Sequence, residues 1–351
     1  MPTPNENLRI RRSRPLLSPA ILAEELPVPD SAAALIRTAR ETVAAILHGQ
    51  DPRLLVIAGP CSIHDPAAAL EYAQRLRALA APMAKELFVL MRVYFEKPRT
   101  HIGWKGLIND PHLDQTFRVN DGLRIARKLL LDVAAEGLPA ATEFLDTTLG
   151  QYYADLISWG AIGARTTESQ IHRQLASGLS MPVGFKNRTD GNVQVAVDAV
   201  RAASQEHWFP SLTKEGAPAL LQTAGNPDCH VVLRGGAQPN YQRDAIDAAL
   251  AALSAHGFST AVVVDCSHGN SSKQPQRQLD VALDVARQRA EDRAAGRAPR
   301  VAGIMLESHL LAGNQSIDAK PLVYGQSITD GCVSFEQTAT LLQQIQQESQ
   351  P

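Results

Sequence analysis

Eight apolar segments rich in Val, Ile and Leu each end in a polar side chain that could do chemistry. In chain order these residues are Cys61, Arg92, Glu143, Arg165, Lys186, Arg234, His268 and Glu307. Four of them are cations, and four cations gathered in one place would repel one another unless an anion normally lies between them. If the eight segment ends meet, they predict a site for a doubly or triply anionic ligand that carries phosphate and carboxylate groups.

The other strand-end residues form a mixed set of sulfur, nitrogen and oxygen donors. Cys61, His268 and Glu307 are joined by Asp330, in the segment SITDGC. Their spacing is far too wide for a zinc finger, which disfavours structural zinc. A packed thiol and a core histidine explain each residue taken alone, but their convergence on one rim favours a divalent metal ion. Strand alternation predicts that Cys266 points to the same face as His268, one layer deeper, as a packing residue.

A basic loop follows the second predicted strand. The segment RVYFEKPRTHIGWKG carries Lys97, Arg99 and Lys105, with Glu96 as its acidic residue. On its own it is typical of a solvated loop. Beside the predicted site, the Arg99 guanidinium and the Thr100 hydroxyl are natural donors to a second phosphate.

Short buried strands alternating with amphipathic helices must position these side chains. The predicted strands are residues 54–59, 87–93, 139–144, 161–165, 182–186, 230–234, 261–266 and 301–306. The predicted helices are residues 66–81, 120–136, 151–159, 168–177, 192–204, 241–256, 276–294 and 335–348. Eight strands, each followed by a helix, predict a (β/α)8 barrel, a TIM barrel whose strand ends converge on one mouth. A doubly wound open sheet is the rival α/β fold.

Two regions fall outside the repeat. Residues 1–50 predict an N-terminal arm and one helix, near residues 31–47, appended to a catalytic barrel over residues 51–351. Residues 207–225 predict an inserted hairpin before the sixth barrel strand, and long insertions of this kind are often lids or regulatory surfaces.

Composition limits the classes of function. The chain has 351 residues, is 44% hydrophobic and carries a net charge of -2, so it lacks the general positive field of a nucleic-acid or membrane-surface binder. It has no secretory leader pattern and no apolar run near the length of a membrane span. Four widely spaced cysteines indicate reduced thiols, and we expect a cytoplasmic protein.

Several long motifs occur together and in order. They are GPCSIHDP, MRVYFEKPRT with GWKGLINDP, GAIGARTTESQ, PVGFKN, LRGG with PNY, DCSHGNSSK, ESHL with GNQS, and YGQSITD. Together they resemble the type I, microbial class of 3-deoxy-D-arabino-heptulosonate 7-phosphate (DAHP) synthase. The resemblance covers about residues 50–345 and, more weakly, the arm.

The resemblance implies a (β/α)8 enzyme that condenses phosphoenolpyruvate with erythrose 4-phosphate, the first step of aromatic amino acid biosynthesis. It places metal ligands at Cys61, His268, Glu307 and Asp330. It places phosphoenolpyruvate contacts at Arg92, Lys97, Glu143, Ala164, Arg165, Lys186 and Arg234, and erythrose 4-phosphate contacts at Arg99 and Thr100.

The implied mechanism uses one divalent metal ion. The metal polarises the aldehyde carbonyl, carbon C3 of the enol attacks it, and water adds at C2 before phosphate leaves. A cysteine, a histidine and two carboxylates suit Mn, Fe, Co or Zn, with Mn or Fe expected in the cell. A metal-bound water and Lys97 are both candidates to manage the proton of the new hydroxyl.

The resemblance also implies inhibition by an aromatic amino acid. The matching positions are Gly150, Gln151, Leu179, Ser180, Phe209, Ser211 and Leu221, which interface packing would equally explain. Gly150 replaces the proline of the phenylalanine-sensitive pattern, and the arm reads NENLRI in place of two adjacent aspartates, which favours tryptophan as the inhibitor.

Arg188, where the family usually has glycine, is a further departure from the family pattern. Dimers and tetramers are usual among relatives, so we expect a homodimer or a homotetramer.

Other functions remain open at this point. A catalytically silent metal and sugar-phosphate sensor could share the barrel, although none of the implied ligands or cations is missing. A metal-dependent aldolase or an octulosonate phosphate synthase, which takes a five-carbon sugar phosphate, is the enzymatic alternative. The KPRT loop matches the four-carbon form.

Overall fold

The computed structural model describes residues 5–349, so that residues 1–4 of the predicted arm and residues 350–351 lie outside the described part. The strands are β1 (Leu54–Gly59), β2 (Leu87–Arg92), β3 (Ala140–Glu143), β4 (Trp159–Ile162), β5 (Val183–Lys186), β6 (His207–Leu212), β7 (Pro218–Thr223), β8 (His230–Leu233), β9 (Val262–Asp265), β10 (Val301–His309) and β11 (Val333–Ser334).

The helices are α1 (Pro19–Glu25), α2 (Asp30–Leu47), α3 (Pro66–Ala80), α4 (Val119–Ala135), α5 (Gln170–Gly178), α6 (Gln194–Ala203), α7 (Arg243–Ser254), α8 (Arg277–Ala294) and α9 (Phe335–Glu348). Short 3-10 helices cover Ala81–Met83, Leu149–Tyr152 and Ala154–Leu156. Within residues 5–349, no helix is both long enough and apolar enough to cross a membrane.

Eight parallel strands close into a barrel. The order is β1-β2-β3-β4-β5-β8-β9-β10, and β1 pairs with β10 to complete the ring. In that closing pair Leu55 lies opposite Gly303 and Gly59 opposite Glu307. Closure confirms the (β/α)8 barrel and excludes the open doubly wound sheet, which would leave two free edges.

Alternating strand residues fill two separate cores. In β1, Leu55 and Ile57 pack inside the barrel with Trp159 and Met305, whereas Val56 packs outward against the helices. Val43, Ile46 and Leu47 of α2 belong to the interior core. The Ala261 N–H donates to the Leu47 carbonyl at 2.9 Å, which fixes α2 across the N-terminal end of the barrel. The barrel is therefore open for chemistry only at its other end.

The predicted helix at residues 151–159 is wrong. The chain forms two 3-10 turns there, and Trp159 already belongs to β4, which begins before the predicted strand at residue 161. Tyr152 and Tyr153 are both buried: the Tyr152 hydroxyl donates to the Leu17 carbonyl at 2.7 Å, and the Tyr153 ring stacks on the Phe144 ring. Burial of both rings thus overrides helical propensity. The remaining predicted elements are found within a few residues of their expected ends.

The N-terminal region and the insertion have structure of their own. The Ser18 hydroxyl caps α1 by accepting from the Ile21 N–H, with Pro19 in the first turn, and this short helix was not among the predicted elements. β6 and β7 form an antiparallel hairpin in which Phe209 lies opposite Leu221. The inserted segment is therefore a hairpin, as its sequence predicts.

The predicted common face of Cys266 and His268 is wrong. Cys266 packs outward, in the layer between the strands and the helices. The side chain of the preceding residue, Asp265, points the other way and pairs with Lys186. His268 lies beyond the strand in a turn, with φ of 57°, so strand alternation does not extend to it. Cys266 is a packing residue all the same.

Candidate active site

The predicted metal ligands meet at the C-terminal mouth of the barrel. One ligand atom each from Cys61, Glu307 and Asp330 lies within 4.8 Å of the others. His268 lies at the edge of this group, with its Nε2 atom 3.7 Å from Glu307 Oε1. Cys61 follows β1, His268 follows β9, Glu307 lies within β10 and Asp330 precedes β11, so the fold joins four positions that are up to 269 residues apart.

Lys97 lies within the same group. Its Nζ atom donates to Cys61 Sγ at 2.8 Å and to Asp330 Oδ2 at 2.7 Å. Burial raises the pKa of the Cys61 thiol to about 11, an effect that Glu307 reinforces and the Lys97 ammonium opposes. Burial would also raise the pKa of Asp330, but Lys97, together with His268 and Cys61, outweighs it and lowers that pKa below its usual range.

This donor set fits a divalent transition metal. A thiol, an imidazole and two carboxylates converge, and the ammonium between two of them shows that the position attracts positive charge. Soft sulfur with imidazole and carboxylate suits Mn, Fe, Co or Zn better than Ca or Mg. The geometry is compatible with one divalent ion and does not select among these metals.

Cations surround one side of the group. The buried Arg92 guanidinium donates to Glu307 Oε1 at 3.0 Å and to the Cys61 carbonyl at 3.2 Å, and it stacks 3.5 Å above the Tyr94 ring. Lys186 is buried on the neighbouring wall, where Nζ donates to Asp265 Oδ2 at 2.7 Å. Most of these positive charges thus already have an anionic or aromatic partner.

Two further arginines add positive charge to this end of the barrel. Burial lowers the pKa of Arg234; Asp265 opposes this, and the positive charge of Arg165 adds to it. Arg165 is exposed, whereas Arg234 is buried. Neighbouring cations of this kind favour an anion between them.

Glu143 and Ala164 flank the mouth. Glu143 is buried, and its Oε1 atom has no hydrogen-bond partner within residues 5–349. A Cβ atom at Gly163 would lie 2.1 Å from that oxygen, so any larger residue there would require the Glu143 carboxyl group to move. Ala164 follows directly and is half-buried.

Arg99 and Thr100 lie at the rim of the basic loop. Both are exposed, and Arg99 Nε donates to the Trp104 carbonyl at 2.7 Å. The structure thus brings the loop to the mouth through Lys97, while these two side chains face solvent.

Comparison with known proteins decides the family. Residues 30–343 match the model of the DAHP synthetase I family. The chain belongs to this family. It is 55% identical over 342 residues, 97% of this chain and 96% of its relative, to the phenylalanine-sensitive phospho-2-dehydro-3-deoxyheptonate aldolase of Escherichia coli (strain K12).

Two other relatives agree. The tryptophan-sensitive aldolase of Enterobacter agglomerans is 55% identical over 338 residues, 96% of each chain. The solved structure of the Francisella tularensis SCHU S4 enzyme has a TM-score of 0.94 and 49% identity, covering 97% of this chain and 98% of that one. Family membership confirms the resemblance, and with it the prediction of an enzyme, a DAHP synthase.

The seven predicted effector positions line one cavity of about 780 Å³ between the hairpin, α2 and the 3-10 turns. Phe209, Ser211 and Leu221 come from the hairpin, whereas Leu179 and Ser180 follow α5. Gly150 and Gln151 form the remaining wall, together with Arg40 and Asp155, which the sequence motifs did not single out.

Arg188 lies on the outer rim of the mouth. Its guanidinium pairs with Glu168 at 2.8 Å and with Asp190 at 2.9 Å. The side chain thus joins the loop that follows β4 to the loop that follows β5, and it faces solvent.

Two buried acids that the sequence motifs left without a role support the site. Asp265 contacts both Lys186 and His268. Glu96 accepts from the Asp146 N–H at 3.3 Å and from the Tyr153 hydroxyl at 3.4 Å. Burial raises the pKa of Glu96 to about 7. Asp265 is the last residue of β9, and this position could have marked it as a site residue. The sequence motifs indicate roles for Cys266 and His268 instead.

Proposed function

We propose that this family member condenses phosphoenolpyruvate with erythrose 4-phosphate and water to give DAHP and phosphate. The observation that carries the proposal is the meeting of Arg92, Lys186 and Arg234 with the Cys61, Glu307 and Asp330 group at one barrel mouth. This arrangement suits two small anions beside one divalent ion.

The phosphoenolpyruvate is held by the cations of the mouth. Arg165 and Arg234 bind its phosphate, because each guanidinium group offers several donors in the fork geometry that suits phosphate oxygens. Arg92 and Lys186 bind the carboxylate on the buried side, assisted by the Ala164 backbone, and Glu143 lies beside the bound enol. Arg99 and Thr100 bind the phosphate of erythrose 4-phosphate at the exposed rim.

Cys61, His268, Glu307 and Asp330 would hold the divalent ion. When bound, it would supply Lewis acidity toward the aldehyde carbonyl of erythrose 4-phosphate. The cationic wall keeps phosphoenolpyruvate oriented while the two substrates are close, which removes most of the entropic cost of their meeting. The Lys97 ammonium, already within 2.8 Å of Cys61 Sγ, is placed to hold a proton for the new hydroxyl.

A direct spectrophotometric assay separates the enzymatic alternatives. Purified protein with Mn²⁺, phosphoenolpyruvate and erythrose 4-phosphate should lose the absorbance of the enol. A flat trace with erythrose 4-phosphate, together with loss of absorbance when arabinose 5-phosphate replaces it, would instead identify an octulosonate phosphate synthase.

The cavity beneath the hairpin is the proposed effector site, and tryptophan is the proposed effector. A Cβ atom at position 150 would lie 3.2 Å from the Phe144 ring, so glycine leaves that wall free of a side chain and gives room for the larger indole. Titration of turnover with phenylalanine, tyrosine and tryptophan in separate series tests this, and inhibition by phenylalanine alone would contradict it.

The arm and the hairpin support self-association as a dimer or a tetramer. Leu8 and Ile10 on the arm are 73% and 64% exposed, and Trp208 on the hairpin is 56% exposed. Exposed large apolar side chains at two extensions of one chain are typical of an interface. Light scattering coupled to gel filtration would give the subunit number, and a monomer would contradict the proposal.

A further inference from the structure

Asp265 lies between two side chains with different proposed roles. It is fully buried at the end of β9. Its Oδ2 atom lies 2.7 Å from Lys186 Nζ and 3.0 Å from His268 Nδ1. One carboxylate oxygen therefore contacts both a cation of the substrate wall and an imidazole of the metal group.

The surrounding contacts fix this carboxylate in place. Its other oxygen, Oδ1, accepts from the Ser267 N–H at 3.0 Å and from the Ser267 hydroxyl at 2.6 Å. The Asp265 carbonyl accepts from Asn270 Nδ2 at 2.8 Å, and β10 places Met305 opposite Asp265. Asp265 thus has little freedom to turn away from either partner.

The contact with His268 selects one form of the neutral ring. A carboxylate oxygen only accepts, so the hydrogen of the neutral imidazole lies on Nδ1. Ser267 Oγ, 2.6 Å from Nδ1, gives its own hydrogen to Asp265 and can accept from the ring as well. The lone pair therefore lies on Nε2, the atom that faces Glu307 at 3.7 Å. Only this tautomer can ligate a metal on that side.

The contact with Lys186 supplies a counter-charge. Lys186 is buried, and its other neighbours are uncharged: the Met305 sulfur at 3.7 Å and the Tyr94 ring, whose centroid lies 5.9 Å from Nζ. An ammonium buried without an anion is strongly unfavourable, and removal of one member of a buried ion pair leaves the other uncompensated. Asp265 therefore supplies the buried counter-charge that holds Lys186 in place.

We propose that Asp265 is a positioning residue that couples the two halves of the site, because it orients His268 toward the metal and holds Lys186 toward phosphoenolpyruvate. The inference rests on the proposed function, since it assumes those roles for His268 and Lys186. It goes further by assigning one buried carboxylate to both binding events.

The test is Asp265→Asn, which keeps the shape and removes the charge. Mn²⁺ alone is titrated into the metal-free full chain by calorimetry, and phosphoenolpyruvate is titrated separately. We expect the Kd for Mn²⁺ to rise about 10- to 100-fold, as for loss of other carboxylates that support a metal-bound histidine. We expect the Kd for phosphoenolpyruvate to rise at least about 10-fold, because the Lys186 ammonium loses its buried partner.

Asp292→Asn is the matched control. Asp292 is also a buried carboxylate bonded to cations, Arg297 at 2.9 Å and Arg300 at 2.7 Å, but it belongs to α8 in the outer layer. This variant should lose stability without a change in either Kd. An unchanged Kd for Mn²⁺ in folded Asp265→Asn would overturn the proposal. Equal increases of both Kd values in the two variants would also overturn it, because they would reflect a general effect on folding.

A measurement on the unaltered protein covers the case in which Asp265→Asn does not fold. Nitrogen NMR of labelled histidine in the metal-free chain, with His268→Asn for assignment, should show His268 protonated at Nδ1. Protonation at Nε2 would overturn the proposal. Failure of the unaltered chain to bind Mn²⁺ or to turn over would sink the proposed function instead, so the two failures are distinguishable.

Discussion

The Lys97 ammonium lies 2.8 Å from the Cys61 sulfur, in the position that faces the other predicted metal ligands. The same ammonium contacts Asp330. Any cation that binds Cys61 and Asp330 together must therefore compete with Lys97 for them.

Metal affinity should rise with pH. Burial raises the pKa of the Cys61 thiol to about 11, so at neutral pH the thiol must lose its proton before it can act as a thiolate ligand. Each unit of pH between 6 and 8 should then lower the apparent Kd for Mn²⁺ by up to about tenfold. Calorimetry in buffers of different ionisation enthalpy would also count the released proton. A Kd that is constant over this range would mean that Cys61 is not a ligand.

The two cysteines near the mouth should respond differently to substitution. Cys61→Ala should abolish Mn²⁺-dependent turnover, because it removes a ligand atom from the group. Cys266→Ala removes a packed sulfur from the outer core and should cost about 1 to 2 kcal/mol of unfolding free energy, with turnover retained. Turnover assays and denaturant titrations of both variants check this, and equal loss of turnover would contradict the assignment.

Glu96→Gln should stabilise the protein at neutral and alkaline pH. Burial raises the pKa of Glu96 to about 7, whereas the unfolded value is near 4.5, so the folded state favours the protonated carboxyl group. The stability from this group is complete below about pH 4.5 and is lost as the pH rises through about 7. The loss is about 3 kcal/mol.

Denaturant titrations at several pH values test this prediction. The advantage of Glu96→Gln over the unaltered chain should be small near pH 5 and should grow up to pH 8. Glu24→Gln, at an exposed position of α1, is the control and should show no such growth. An advantage that is independent of pH would show that Glu96 is ionised throughout.

A substitution on the cavity-facing side of the hairpin should weaken feedback inhibition, whereas one on its exposed side should not. Leu221 lines the cavity, whereas its neighbour Leu220 is 63% exposed on the opposite side of β7. Leu221→Trp should fill part of the cavity and raise the inhibitor concentration for half-inhibition at least about 10-fold, with uninhibited turnover within about twofold. Leu220→Trp should inhibit normally, and an equal effect of both would place the effector elsewhere.

Arg188→Gly, which restores the residue usual in the family, should change little. The Arg188 ion pairs with Glu168 and Asp190 are exposed to solvent, and exposed ion pairs contribute little to stability. Denaturant titration and the KM for phosphoenolpyruvate would check this. A rise in KM well beyond threefold would show that Arg188 positions the neighbouring Lys186.

Local sequence patterns were enough to predict the barrel and most of its mouth. Periodic Val, Ile and Leu segments indicate where strands form, and eight strand-helix units favour a closed barrel over the rival open sheet. In a closed barrel the residue that ends each strand lies at the mouth, so its place follows without knowledge of any contact. This is why Cys61 could be grouped with Glu307 and Asp330 although it lies more than 200 residues before them in the chain.

Features that depend on packing between distant segments appeared only in the folded chain. Residues 151–159 form two turns in place of the predicted helix, because burial of both Tyr152 and Tyr153 outweighs local propensity. Asp265 faces Lys186 and His268, and Lys97 lies between Cys61 and Asp330. Local sequence encodes which way a strand residue can face, but the partner that it meets there is set by segments elsewhere in the chain, and only folding brings those segments together.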